Sequence, residues 1–282
     1  MPESHLSYGM KAYPLLAATA LLHFSAAPAR ADLPNLTKDP FFGYFLGVED
    51  RDILFGITIR AEGIIHPLDR RNDTLRLSNP ISFDFRVLEH AGDGKIVRKN
   101  IDFPSLKTEQ EAVVDPKEPV SFSGKVTGDA AFSVTVAHNR DGYHFTGSVT
   151  DKGSLENPLE FGIDFSFDPY RGVETSSAED LKKFTKMARR DSLEIVTITG
   201  EKVKFGIDEE VDFKEKFPDG VTSVKLDTVR YDGTGFKLTA TKGSKITFED
   251  EGKQPVHKAL KLLWTANSGA DPTKERLTLV AD

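Results

Sequence analysis

The 282 residues contain no cysteine and a single tryptophan. Without cysteine there are no disulfides, no thiol nucleophile, no Cys-ligated zinc and no iron–sulfur cluster, so stability must come from buried area. Histidine is sparse beyond residue 31: His66, His90, His138, His144 and His257. None of them forms an HExxH pair, and the GxSxG and HRD contexts of common enzymes are missing. His66 lies in a loop with Asp69, an acid–base combination that loops often contain without using it. His138 and His144 flank an RDG turn and fall on opposite faces by residue counting, which argues against a shared metal. Positive charge is in deficit, with 37 Lys and Arg against 44 Asp and Glu, a net charge of −7. A phosphate-binding surface needs clustered cations, so nucleic acid is not expected as a partner.

Long hydrophobic runs are also missing. The one candidate, AYPLLAATALLHFSAA at residues 12–27, is short and interrupted for a membrane span but suits the apolar part of an export signal. Lys11 precedes it, and PARA follows with Ala29 and Ala31 at the positions a signal peptidase reads. Cleavage is expected before Asp32, with Met10 an alternative start to Met1. Removing residues 1–31 takes the basic residues from 37 to 35 and the acidic ones from 44 to 43, a net charge of −8. The expected product has no transmembrane span and is periplasmic or at the cell surface of a bacterium, with outer-membrane association one form of that placement.

Period-two alternation dominates the rest, the mark of half-buried antiparallel strands. Seven are expected at 53–60, 81–89, 95–103, 119–126, 131–138, 143–150 and 159–167, a spacing that suggests a β-sandwich over residues 32–172. A linking loop and helix are expected at 173–191. Ser176 or Ser177 is placed to cap the helix, Glu179 and Asp180 fall in its first turn, and Leu181, Phe184, Met187 and Ala188 share a face. A smaller C-terminal β domain follows over 192–282, with strands at 192–199, 202–207, 223–231, 235–242, 245–250, 259–266 and 276–281. The fold class is therefore all-β. The tripeptide FGI recurs at 55, 161 and 205, but with spacings that share no period, so a solenoid or propeller is not indicated.

The segment LEFGIDFSFD at 159–168 sets Phe161, Ile163, Phe165 and Phe167 on one face and Glu160, Asp164 and Asp168 on the other. Carboxylates four residues apart on a straight strand are about 13 Å apart at about 3.3 Å per residue. A calcium ion gathers its six to eight oxygens at about 2.3–2.6 Å, so the row reads as a solvated face; Asp168 beside the turn DPYRG is left as a ligand that another loop would have to complete. DEEVD at 208–212 likewise reads as solvated, and the loops at 72–74 and 232–235 lack the EF-hand ligand pattern. No metal, cofactor or catalytic residue is assigned. Sugar sites favour exposed Trp and Tyr, whose flat faces stack on rings, and this makes Tyr170 and Trp264 the candidate ligand-binding residues. The many Phe at alternate positions read as sheet core.

Residues 178–241 carry a more particular pattern: AEDLKKFTKMARR, then SLEIVTITGEKVKFGIDEEVDF, a charged loop, and TVRYDGTGFKLTAT. This order resembles the start of the C-terminal domain of bacterial secretins, the outer-membrane channels of type II secretion and type IV pili. Ile195–Thr199, the turn at 200–202, Val203–Ile207 and Gly235–Thr241 occupy the matching places, with Asp212 where that family carries Pro. The resemblance implies a component of an envelope assembly. The expected function is a non-enzymatic interaction or structural module that meets an envelope protein, or itself, through edge strands. A small-ligand or carbohydrate-binding module is the alternative; a hydrolase would need two acids converging across a cleft.

Overall fold

In the first half of the chain, alternation of apolar and polar side chains is realised as strands. They are β1 (Gly43–Leu46), β2 (Ile53–Ile59), β3 (Glu62–Asp69), β4 (Arg76–Leu77), β5 (Ile81–His90), β6 (Ile96–Lys99), β7 (Ile101–Thr108), β8 (Val120–Val126), β9 (Ala131–Asn139), β10 (Gly142–Asp151) and β11 (Leu159–Phe167). The computed structural model describes residues 81–108, 119–139, 142–168, 170–228, 235–266 and 274–281, and the backbone of 43–46, 53–59, 62–69 and 76–77. The export signal expected at 1–31, the loop at 72–74, the RDG turn at 140–141 and the tip of the 232–235 turn lie outside the described residues.

Helix α1 (Ala178–Met187) follows, capped by Ser177, whose Oγ accepts from the Asp180 backbone N–H at 3.1 Å. Phe184 and Ala188 are its buried contacts. Then come β12 (Ser192–Thr197), β13 (Lys202–Gly206), β14 (Glu210–Val211), the short helix α2 (Phe213–Lys216), β15 (Val221–Asp227), β16 (Gly235–Ala240), β17 (Lys245–Phe248), β18 (Gln254–Pro255), β19 (Leu260–Ala266) and β20 (Leu277–Ala281). The segment ALKLLWTA, ambiguous by composition, forms strand β19. The chain is thus mostly β, as its periodicity predicts.

Eighteen strands share one antiparallel sheet, and only β14 and β18 form a separate pair among the described residues. One run of neighbours is β5–β11–β19–β17; the other is β8–β9–β10–β20–β16–β15. The two runs meet where Val221 of β15 pairs with Ile246 of β17. At the opposite side β6 pairs with β5 and passes through Asn100 into β7, which pairs with β8. The sheet therefore curls nearly into a barrel. β11 pairs with β19 and β10 with β20, so strands from before and after residue 172 share it.

The interior is filled by the inward rows. Phe83, Phe85 and Val87 of β5 and Phe161, Ile163, Phe165 and Phe167 of β11 are all buried. They meet the opposite wall through rings: Phe83 lies 5.3 Å from Phe145 and Phe145 lies 5.9 Å from Phe165, both edge-on, while Phe132 stacks at 6.3 Å on Phe161. Such pairs add to the gain from burial itself, about 1.5–3 kcal/mol for a fully buried Phe. The inward row of β5 ends in a charge. Glu89 is buried, ion-paired with Lys99 of β6, and accepts from Asn157 Nδ2 at 2.9 Å. Donors on both carboxylate oxygens make that position tolerable for an acid.

Candidate functional site

The outward rows of the sheet carry the polar chemistry, and the acidic row of β11 comes first. Asp164 is not alone on its face. The ladder sets Asp84 of β5 directly opposite it, and Arg86 donates through Nε to Asp164 and through Nη2 to Asp84, each at 2.7 Å. Arg98 of β6 adds a longer contact to Asp164 at 3.5 Å and ion-pairs with Glu249, just past β17. Burial opposes the charge on Arg98, but Asp164 and Glu249 outweigh it and raise its already high pKa. Glu160 meets His90 Nε2 at 2.9 Å. A groove of about 330 Å³ runs over this network, with Ser82, Ser166 and Lys261 on its walls.

Both Asp164 oxygens are thereby engaged by guanidinium groups, Oδ2 by Arg86 and Oδ1 by Arg98. Among the described residues no group of three or more His, Asp or Glu is placed to hold a metal ion. The second acidic cluster is used in local structure. Glu209 Oε1 accepts from the Gly206 N–H at 2.6 Å, and Asp212 caps α2 by accepting from the Glu215 N–H at 3.0 Å.

Neither aromatic candidate is an exposed platform, which corrects that expectation. Trp264 is 0% exposed, sits edge-on to Phe161 at 6.4 Å, and donates its indole N–H to Ser244 Oγ at 3.0 Å. It points inward because β19 continues the wall of β11, with Ile163 as its direct cross-strand partner. Tyr170 is 5% exposed; its ring lies edge-on to Phe184 at 5.1 Å and its hydroxyl donates to buried Asp191, which also accepts from Thr228 at 3.1 Å. Tyr170 does line a cleft of about 410 Å³ with Asp168, Asp250, His257 and Lys258. His257 is held in place there, its Nδ1 against the Ile207 carbonyl at 3.2 Å and its ring 4.9 Å from Phe184.

The register pairs His144 with Ala137 and His138 with Tyr143, one residue out of step, so the two positions belong to opposite faces, as counting along the strands predicts. His144 is buried on the outward side of the sheet. Its Nδ1 meets Thr278 Oγ1 at 3.1 Å and its Nε2 meets Asn139 Oδ1 at 2.9 Å. Because an amide oxygen only accepts, Nε2 donates to Asn139 Oδ1, while the Thr278 hydroxyl partners Nδ1.

Around His144 lies a cleft that the sequence reading misses. It has a volume of about 510 Å³, and its walls include Ser133, Thr135, Asn139, Thr146 and Arg276. The ladders set Ser121, Thr135 and Thr146 in one cross-strand row, and Ser123, Ser133 and Ser148 in the next. Ser121 and Thr135 hydroxyls bond at 2.8 Å, Ser133 and Ser148 at 3.4 Å. The signal is in the sequence as alternate Ser and Thr in three successive strands, visible as a surface only once the register is known. No protein-family model matches the chain, and no curated protein matches it.

Proposed function

We propose that the chain is an exported, non-enzymatic β-rich module of the bacterial cell envelope that acts by contact with an envelope protein or with its own copies. The observation that carries this reading is the β12–β13 hairpin. β12 is paired on both sides, to β13 and β15, whereas among the described residues β13 pairs only with β12. The outer edge of β13 therefore offers backbone groups to an added strand. At the hairpin tip Ile198 is 52% exposed, an apolar anchor beside that edge. Exposed Lys202 and Lys204 alternate along β13 and discourage indiscriminate pairing while favouring an acidic partner strand. In this reading the curled sheet, to which strands on both sides of the 173–191 loop and helix contribute, is the scaffold, and the β12–β13 hairpin makes the contact. The likeness of residues 178–241 to the start of the secretin C-terminal domain supports an envelope assembly as the setting. Among the described residues no helix is long and apolar enough to cross a membrane.

The test is expression of the full chain in a Gram-negative host, with mass spectrometry of the product, light scattering and in-cell crosslinking. The expected result is a product beginning at Asp32 that forms a homo-oligomer or crosslinks to an envelope protein, with Ile198→Asp abolishing the contact and leaving the unfolding midpoint unchanged. An uncleaved cytoplasmic monomer without an envelope partner overturns the reading.

A second reading, small-ligand or carbohydrate binding, is favoured by the hydroxyl-lined cleft beside His144. The loss of Tyr170 and Trp264 as platforms moves that reading to β8, β9, β10 and β20.

A further inference from the structure

Among the described residues lining the cleft beside His144 there is no carboxylate, although the whole chain has a net charge of −7. Its one charged lining residue is Arg276, which is exposed and whose guanidinium has no ion-pair partner among the described residues. The other polar walls are hydroxyls and an amide. We propose that this cleft binds a hydroxyl-rich ligand carrying a single anionic group, an acidic sugar, with the anion on Arg276 and the ring hydroxyls on the Ser and Thr rows; this rests on the small-ligand reading.

The chemistry follows from the capacity left on each group. A hydroxyl has one donor and two acceptor sites, so the Ser121–Thr135 and Ser133–Ser148 bonds leave acceptor capacity on every member. Cross-strand neighbours about 5 Å apart and same-strand neighbours about 7 Å apart make a grid of donors and acceptors, suited to a ligand that presents hydroxyls at several positions around one ring. The cleft volume of about 510 Å³ falls in the usual range for small-molecule sites, about 300–1,000 Å³. His144 acts as a positioning residue: bound at both nitrogens, it fixes Asn139 at the end of the rows. Arg276 directly precedes β20, where Thr278 faces His144 and Leu277 faces Phe145 across the ladder to β10. One step further along that register Arg276 comes level with Thr146, so the cation extends the row Ser121–Thr135–Thr146. A guanidinium is the side chain best shaped to grip a carboxylate with two parallel hydrogen bonds. Among the described lining residues there is no Phe, Tyr or Trp to stack on a ring, and the contacts they offer are polar.

The experiment is saturation-transfer NMR and calorimetric titration of the full chain with glucose and with glucuronate, at physiological ionic strength so that the net charge is screened. Binding of both is expected, with glucuronate at least fivefold tighter. Arg276→Gln should weaken glucuronate binding at least fivefold and so remove that preference, while Thr135→Val with Thr146→Val should weaken both by at least fivefold. Unfolding midpoints monitor folding, and Arg276→Lys, expected to retain part of the preference, serves if the Gln variant does not fold. Equal binding of the two sugars, or a preference that survives Arg276→Gln, overturns the assignment of the anionic group while the small-ligand reading stands. No saturable binding of either sugar, or binding indifferent to the Thr variants, overturns both.

Discussion

Asp84 and Asp164 stand directly opposite each other across the β5–β11 ladder, and Arg86 donates to both at 2.7 Å. Two like charges in that relation destabilise a sheet unless a cation sits between them. The groups are about one-quarter to one-third exposed, which screens the interaction and limits its size. Arg86→Met is expected to lower unfolding stability by about 1 kcal/mol. Adding Asp164→Asn to Arg86→Met should restore most of that loss, because the repulsion it removes is the reason for the loss. Urea unfolding of the two single variants and the double variant measures the coupling; purely additive effects would remove Arg86 as the bridge.

Glu89 gives the fold an acid-sensitive point. Its hydrogen bond from Lys99, with a second from Asn157, holds its carboxyl below the usual glutamate range. A carboxyl depressed in the folded state binds its proton later than in the unfolded state, so its contribution is present above the unfolded value, about 4.3. That contribution falls as the pH drops from there through the lower folded value. Urea titrations between neutral pH and pH 3 should show stability declining in this window. In Glu89→Gln the decline should be shallower, and the variant less stable at neutral pH because Lys99 loses its counter-charge. Identical pH profiles for the two proteins would contradict the assignment.

The strands were legible because they are amphipathic at period two. In β11, Phe161, Ile163, Phe165 and Phe167 announce their burial, and the observed span, Leu159–Phe167, is the expected one. Helix α1 was legible through its cap at Ser177 and its acidic first turn. Non-local pairing was not legible: nothing in the local pattern says that Ile163 faces Trp264 or that His144 faces Thr278, because those partners are 101 and 134 residues away. Both failures at the site have that origin. Trp264 looked like a platform because its neighbours along the chain do not reveal which face meets the core, and the hydroxyl cleft is assembled from four strands that the register alone brings together. The acidic row was expected to be a solvated face; Glu160 and Asp164 are instead partly buried and paired, with His90 and with Arg86 and Arg98, which come from other strands and were not identified.

The lone tryptophan makes the core directly observable. Trp264 is fully enclosed and its indole N–H is satisfied by Ser244. Its fluorescence should be blue-shifted in the folded protein, resistant to iodide quenching, and red-shifted on unfolding. Ser244→Ala leaves a buried indole donor without this acceptor, at an expected cost of about 1–3 kcal/mol in urea unfolding. Emission already at the solvent-exposed position in buffer would refute the inward placement.

Gly147 of β10 tests how tightly the two walls of the sheet meet. A Cβ at this position would lie 2.1 Å from Cε1 of Phe161, far inside contact distance, and the ring is itself stacked against Phe132 and edge-on to Trp264. It has little room to retreat, so even one methyl group is an overpacking change. Gly147→Ala is expected to destabilise the fold by about 1–3 kcal/mol. Pairing it with Phe161→Leu should recover part of that cost, because the shorter side chain vacates the space the methyl requires. The double variant should therefore be more stable than the sum of the two single losses predicts, a non-additivity that urea unfolding detects directly. Simple additivity would mean that Gly147 and Phe161 do not compete for the same space.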